Sequence, residues 1–386
     1  MSHRALIAAL AALVTAFAHP VLAQENLAQE NVVRENVVKL YAWSGYVSPA
    51  VLESFSRATG IKTAVETYET KEEAAARLAG GKSGADIVLL EAVPLLGAIQ
   101  AGAFQPLDAA KLPALSGQDP ALTRLLAGAG LPDGMAGIYL WGTLGLAVRT
   151  DLVRKRAEDA ALNSYALLFD PRFAKKLQGC GIGLIDDPMV VLPMALRYLG
   201  LDPNTAGPPE WTRAAVVVQK IRPFVRTMDS TNLVSGLAAK KLCLATEWNG
   251  DAVQAANRLQ ASEPKPKPGA TTPPPVIDYV VPREGGLAFI DAFAIPKDAP
   301  HPDAAYAFLN HLLQPKMIAT TASEMGYANA QPASLDQVYG PLAADTRIFP
   351  TEAVKAKLTL VKPLPPELQP LVAELWTKIK NSAPIE

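Results

Sequence analysis

The sequence predicts an α/β protein of two lobes. Three observations carry this: strand-like and helix-like segments alternate from residue 37 onward, the alternation resumes after Leu146, and about 363 of the 386 residues remain once an N-terminal export segment is set aside, enough for two cores.

Residues 37–42 form a largely apolar run fit for a buried strand. Ser48-Pro49 then opens a helix, with serine as N-cap and proline at the first helical position. Val51, Leu52, Phe55 and Ala58 share one face of it, and Gly60 ends it. A strand over 61–68, a helix over 71–78 closed by Gly80-Gly81, a strand over 86–90 and a helix over 94–101 complete a βαβαβ unit. Such a unit predicts a mostly parallel sheet. Further on, strands are expected over 183–185 and 242–246, and helices over 190–199, 211–221 and 250–258. Residues 262–275 carry six prolines and three charges and read as a surface excursion. A strand over 289–295 and a helix over 303–313 follow, then helical stretches between 354 and 379 around a break at 363–366.

Met1–Arg4 is short and basic, residues 5–17 are mostly apolar, and Val21-Leu22-Ala23 offers small residues for cleavage after Ala23. This is the pattern of a secretory signal peptide. No cysteine follows the apolar run, so no lipid anchor is expected, and no later stretch reaches the ~18–20 apolar residues of a membrane span. Residues 24–36, with their repeated Gln-Glu-Asn, read as a flexible linker. The chain is therefore expected to be exported, with no membrane insertion of the mature protein. Cys180 and Cys243 form an even pair in an exported chain, which favours a disulfide over two separate buried thiols. The loop it would close is about 60 residues, a stabilisation on the order of 4 kcal/mol in the chain-entropy model.

The formal net charge is -1, and Arg4 leaves with the export segment, so there is no basic excess for nucleic acid. Only His301 and His311 remain among the histidines, the second expected at a helix surface, and no nucleophile motif accompanies either. Gly81-Lys82-Ser83 lacks the phosphate-loop glycine, since position 76 is alanine. The glycines at 179, 181 and 183 do not match a dinucleotide fingerprint, no Cys/His spacing suits zinc, and no acidic loop matches a calcium site. No enzyme activity, cofactor or metal is expected.

Aromatic residues make up only 6% of the chain, so their placement carries weight. Tyr41-Ala42-Trp43-Ser44-Gly45-Tyr46 follows the first strand. Glu247-Trp248-Asn249-Gly250-Asp251 opens a helix after another. Phe289-Ile290-Asp291 falls at an expected strand crossing, and Gly326-Tyr327-Ala328-Asn329 follows a helix. In open α/β sheets ligands sit at the carboxyl ends of strands. Ring faces attract an alkylammonium by about 0.5–2 kcal/mol each, and carboxylates fix its ends through charge-assisted hydrogen bonds.

With these stretches, and with residues 101–108, 139–145, 198–204, 282–291 and 308–313, the sequence resembles the periplasmic putrescine- and spermidine-binding proteins of bacterial ABC transporters, nearer to the putrescine-binding branch. The resemblance runs from residue 39 to about 380. It implies a type II periplasmic-binding-protein fold, two α/β lobes with a ligand cleft and hinge crossings, working as a monomer with a membrane ABC permease. It places residues 37–143 and about 286–320 in one lobe, and 144–285 and about 321–386 in the other. It also implies a Cys180–Cys243 disulfide. The ligand-contacting positions it implies are Trp43, Ser44, Tyr46, Trp248, Asp251, Phe289, Asp291 and Tyr327. Trp43, Tyr46, Trp248 and Phe289 form the expected aromatic box, Asp251 and Asp291 accept ammonium groups, and Ser44 and Tyr327 add hydrogen bonds.

The sequence departs from that branch at Gly45, where an acid is expected, at Val93 in place of a serine, and at Val190 in place of a glutamate. Glu91 and Glu247 are acids where the branch has small residues; each is read either as a replacement charge or as a solvent-facing rim residue. The expected ligand is a polyamine-like cation. The alternative is a zwitterionic or amino-acid-like amine, which would need a cation in the cleft. Arg149 is the nearest candidate for one, and is otherwise read as a surface residue.

Overall fold

The computed structural model describes residues 36–263 and 276–385. The export segment, the linker up to residue 35 and the proline-rich run from 264 to 275 lie outside the described residues.

The opening βαβαβ unit forms as expected. Strand β1 (Val37–Trp43) is followed by helix Pro49–Thr59, β2 (Lys62–Tyr68), helix Lys71–Ala79, β3 (Ile87–Glu91) and helix Ala92–Gln100. Ser48 Oγ accepts the Val51 N–H at 3.2 Å, and the Gly60 N–H closes the same helix on Ser56 O at 2.9 Å. The remaining strands are β4 (Gly137–Arg149), β5 (Ile182–Leu184), β6 (Thr227–Met228), β7 (Leu244–Trp248), β8 (Ile277–Val280), β9 (Leu287–Ala294), β10 (Ala328–Asn329) and β11 (Thr359–Leu360).

The strands form one sheet in the order β2-β1-β3-β9-β4-β7-β5-β6, with β8 and β10 added on β4 and β11 on β9. β2-β1-β3 and β6-β5-β7 are parallel, as the alternation predicts. The middle is antiparallel: β9 pairs with β3 and β4, and β4 with β7 and β8. The mostly parallel expectation thus holds for each flank and fails between them. The cause is β4, a 13-residue strand. Its first half pairs with β9 and β10, and its second half with β7 and β8, so it crosses from one parallel set to the other.

Apolar side chains collect in separate bodies. Two of them pack on the β1–β3 side, around residues such as Tyr68, Leu90 and Ile290, and Leu40, Phe293 and Leu309. The third packs around β5 and β7 with Leu196, Trp211 and Leu259. Ala322, Ala328, Ile348 and Leu360 belong to the first two bodies, whereas Leu368, Leu375 and Ile379 belong to the third. The stretch expected in the second lobe from residue 321 onward is therefore divided, because β10 pairs with the first half of β4 at Leu140 and Trp141.

Cys180 and Cys243 are joined by a disulfide, with Cα atoms 5.5 Å apart. Cys180 lies two residues before β5 and Cys243 one residue before β7, and Ile182 and Leu244 of these strands are register partners. His311 is buried, its ring edge-on to Phe55, rather than on a helix surface. No helix among the described residues is long and apolar enough to cross a membrane.

Candidate functional site

Three strands end at one place. β1 stops at Trp43, β3 at Glu91 and β7 at Trp248, all at carboxyl ends within parallel sets. β9 passes between them with Phe289 and Asp291 on one face, since they are two residues apart. The cavity enclosed there is about 300 Å³, lined by Trp43, Tyr46, Glu91, Trp248, Asp251, Phe289, Asp291 and Tyr327. That lining is five rings and three carboxylic acids, with no basic side chain.

Seven of the eight expected residues are thus brought together, and Ser44 is not among them. Ser44 sits exposed in the turn after β1, its backbone N–H donating to Tyr68 O at 3.3 Å. The turn closes from the Tyr46 N–H to Trp43 O at 3.2 Å, with Gly45 at φ 69°. A side chain at 45 would meet no atom within 4 Å, so the acid expected there would have room but would have to adopt the left-handed conformation.

Each ring and acid is held by a neighbour. Trp43 packs on Tyr68 at 4.7 Å between ring centroids, and the Tyr68 hydroxyl donates to Leu89 O at 2.8 Å. Tyr139 braces Tyr46 edge-on at 5.6 Å, while its hydroxyl donates to Tyr46 O. The Tyr46 hydroxyl in turn donates to Asp291 Oδ2 at 2.7 Å. Phe289 and Tyr327 meet edge-to-face at 5.4 Å. Tyr327 donates to Asp251 Oδ1 at 3.2 Å. Its ring lies against Gly250, where a Cβ would come within 2.5 Å, so only glycine allows the approach. Asn249, buried below Trp248, accepts the Thr143 N–H at 3.2 Å and donates to Arg347 O at 2.9 Å, which fixes the start of helix Asn249–Ser262. Tyr68, Tyr139 and Asn249 support the site without touching the cavity. Their roles depend on partners 21 or more positions away along the chain, so no local sequence signal marks them.

The acids are strained electrostatically. Asp291 is 7% exposed, and burial pushes its carboxyl up to about 7, with Glu91 adding to the rise and the Tyr46 hydrogen bond opposing it. Glu91 is the register partner of Asp291 across β3 and β9, so both point to one face. Burial raises Glu91 as well, against the pull of Lys71. Asp251 is raised by burial, against its Tyr327 hydrogen bond. A cation placed among them would relieve all three.

Glu247 follows neither expectation. It is 1% exposed, on the opposite face of β7 from Trp248, and Oε2 has no partner. Burial holds it well above the usual carboxylate range, with Asp251 adding to the rise. Arg149 is neither in the cleft nor on the surface: it is buried and paired with Asp151 at 2.8 Å. Val93 and Val190 line a small extension of about 70 Å³ that shares Glu91 and Trp248 with the main cavity. A larger cavity of about 550 Å³ lies elsewhere, beside Trp141 and Arg124. Its lining acids are already matched, Lys355 pairing with both Asp119 and Glu352.

Residues 50–350 match the family model described as bacterial extracellular solute-binding protein. The chain is 34% identical over 344 residues to the putrescine-binding periplasmic protein PotF of Escherichia coli K12, covering 89% of this chain and 90% of that protein. It is 36% identical over 343 residues to the putrescine-binding periplasmic protein SpuD of Pseudomonas aeruginosa UCBPP-PA14, covering 89% and 91%. Among solved structures, the spermidine/putrescine ABC transporter substrate-binding protein of Streptococcus pneumoniae superposes with a TM-score of 0.77 at 20% identity, covering 90% of this chain and 99% of that one. The fold is therefore the two-lobed α/β fold of such substrate-binding proteins.

Proposed function

Because the chain belongs to the bacterial extracellular solute-binding proteins, we propose that it captures a polyamine-like organic cation in the periplasm and delivers it to a membrane ABC permease. The observation that carries this reading is the composition of the cavity: five rings and three acids, with no lining base. Buried carboxylates with raised pKa values are costly without a counter-ion. A linear amine supplies that counter-ion at its ends and methylenes for the rings between them. Relatives named for binding putrescine support the same class.

In this reading Trp43, Tyr46, Trp248, Phe289 and Tyr327 hold the chain of the ligand, and Asp251 and Asp291 receive its ammonium groups. Ser44 would join only through rearrangement of its turn. The two sets of apolar packing act as lobes that close about β4 and β9. The protein is exported as a monomer, cut after Ala23, and carries out no catalysis. Calorimetry against putrescine, cadaverine, spermidine and agmatine tests the ligand class; absence of heat with all four overturns it.

A further inference from the structure

We propose that Lys71 is a length selector: its ammonium occupies, from within the chain, the acidic subsite of Glu91 and Asp187 that would otherwise receive the distal ammonium of a longer polyamine. The inference rests on the amine-binding reading above and sharpens its ligand class to short diamines.

The cleft does not end at the aromatic box. Glu91 and Trp248 belong both to the main cavity and to its extension of about 70 Å³. That extension shares Lys71, Glu91 and Val93 with an outer groove of about 380 Å³. One path thus runs from Asp251 and Asp291, past Glu91, to Lys71. Its waist is apolar, formed by Val93, Leu144, Val190 and Leu287, so a methylene stretch fits there.

At the far end stand two acids and one base. Lys71 Nζ lies 2.7 Å from Asp187 Oδ2. Asp187 Oδ1 accepts the Met189 N–H at 2.8 Å as cap of helix Pro188–Tyr198, so both of its oxygens are engaged. The same ammonium pulls on Glu91, opposing the rise that burial causes there. Lys71 begins the helix carrying Ala74 and Leu78 of an apolar body on the β1–β3 side, and Asp187 caps the helix carrying Val191 and Leu192 of the body around β5 and β7. The subsite is therefore built from both sides of the cleft and filled by an alkylammonium belonging to the protein. A diamine held among Asp251, Asp291 and the rings does not reach it. A linear triamine would bring its third ammonium against Lys71, meeting like charge where the geometry otherwise offers two carboxylates.

The test is calorimetry of the full mature chain and its Lys71→Met and Lys71→Met/Asp187→Asn variants, against putrescine and spermidine. Lys71→Met is expected to tighten spermidine by at least about tenfold and leave putrescine within about threefold. The added Asp187→Asn change is expected to abolish most of that gain. Unchanged or weaker spermidine binding in Lys71→Met overturns the proposal. So does an equal change for both amines, which would make the Lys71–Asp187 pair only a brace between the lobes, and so does a gain that survives Asp187→Asn. If neither amine binds any of the three proteins, the amine-binding reading itself falls, and this inference with it.

Discussion

The Tyr46 hydroxyl donates a 2.7 Å hydrogen bond to Asp291, a residue 245 positions away. Even with that donor, burial leaves the Asp291 carboxyl titrating at about 7. An ammonium binds the ionised form. Affinity for a diamine should therefore fall as pH drops through about 7, approaching tenfold per pH unit below it, with a proton released on binding. Calorimetry near pH 6 in two buffers of different ionisation enthalpy reads that proton. An affinity flat between about pH 5.5 and 8 would contradict the assignment. In the ligand-free protein the sign reverses. The folded pKa lies above the unfolded one, so this group's contribution to stability grows as pH falls from about 7 toward about 4.

Asp291→Asn should move binding and stability in opposite directions. It keeps an acceptor for Tyr46 but removes a buried charge, so the free protein should melt no lower than wild type at pH 8. Putrescine affinity should drop at least about tenfold, roughly 1.4 kcal/mol. Thermal melts with and without ligand, paired with calorimetry, separate the two effects.

Trp248→Leu retains apolar bulk and loses the ring quadrupole. The loss should be about 0.5–2 kcal/mol of binding, with putrescine affinity reduced and the unliganded melting temperature nearly unchanged. Titration by intrinsic fluorescence or calorimetry measures it.

Glu247→Gln should be close to silent. Burial holds this carboxyl well above the usual carboxylate range, so an amide of the same shape suits the same buried place. The change in unfolding free energy should stay within about 0.5 kcal/mol, read from the urea midpoint at pH 7. A large stabilisation would mean that Glu247 is charged in the wild type.

Replacing both Cys180 and Cys243 by serine should lower stability on the order of 4 kcal/mol, the chain-entropy value for a loop of this size. Ligand affinity should be preserved, because the bridge precedes the amino end of β7 and the site lies at its carboxyl end.

Much of the architecture is legible in local chemistry. Ser48 and Gly60 mark the ends of helix Pro49–Thr59 because caps act over three or four residues. The β-branched and apolar runs predict β1, β2 and β3 to within a residue or two, and Trp43, Trp248 and Asp251 stand at or just beyond strand ends where an open α/β sheet puts ligands. The crossing strand β4 is not legible: all 13 of its residues are buried, so it lacks the alternation that marks a half-exposed strand.

The sequence by itself determined the α/β alternation, the export signal expected at the N-terminus, the likeness to amine-binding relatives and the set of rings and acids from which the site is drawn. These depend on periodicity, capping and motif, which act along the chain. Only the tertiary structure decided which of those side chains share a cavity. Ladder register turns Glu91 and Asp291 to one face while Glu247 goes to the other, the turn at Gly45 leaves Ser44 outside, and β10 draws the chain after residue 321 back to the first half of β4. Lys71 and Asp187 become partners across 116 positions only when the apolar bodies of the β1–β3 side face the one around β5 and β7. Facing and register are long-range properties: a strand shifted by one residue has the same composition and the opposite face.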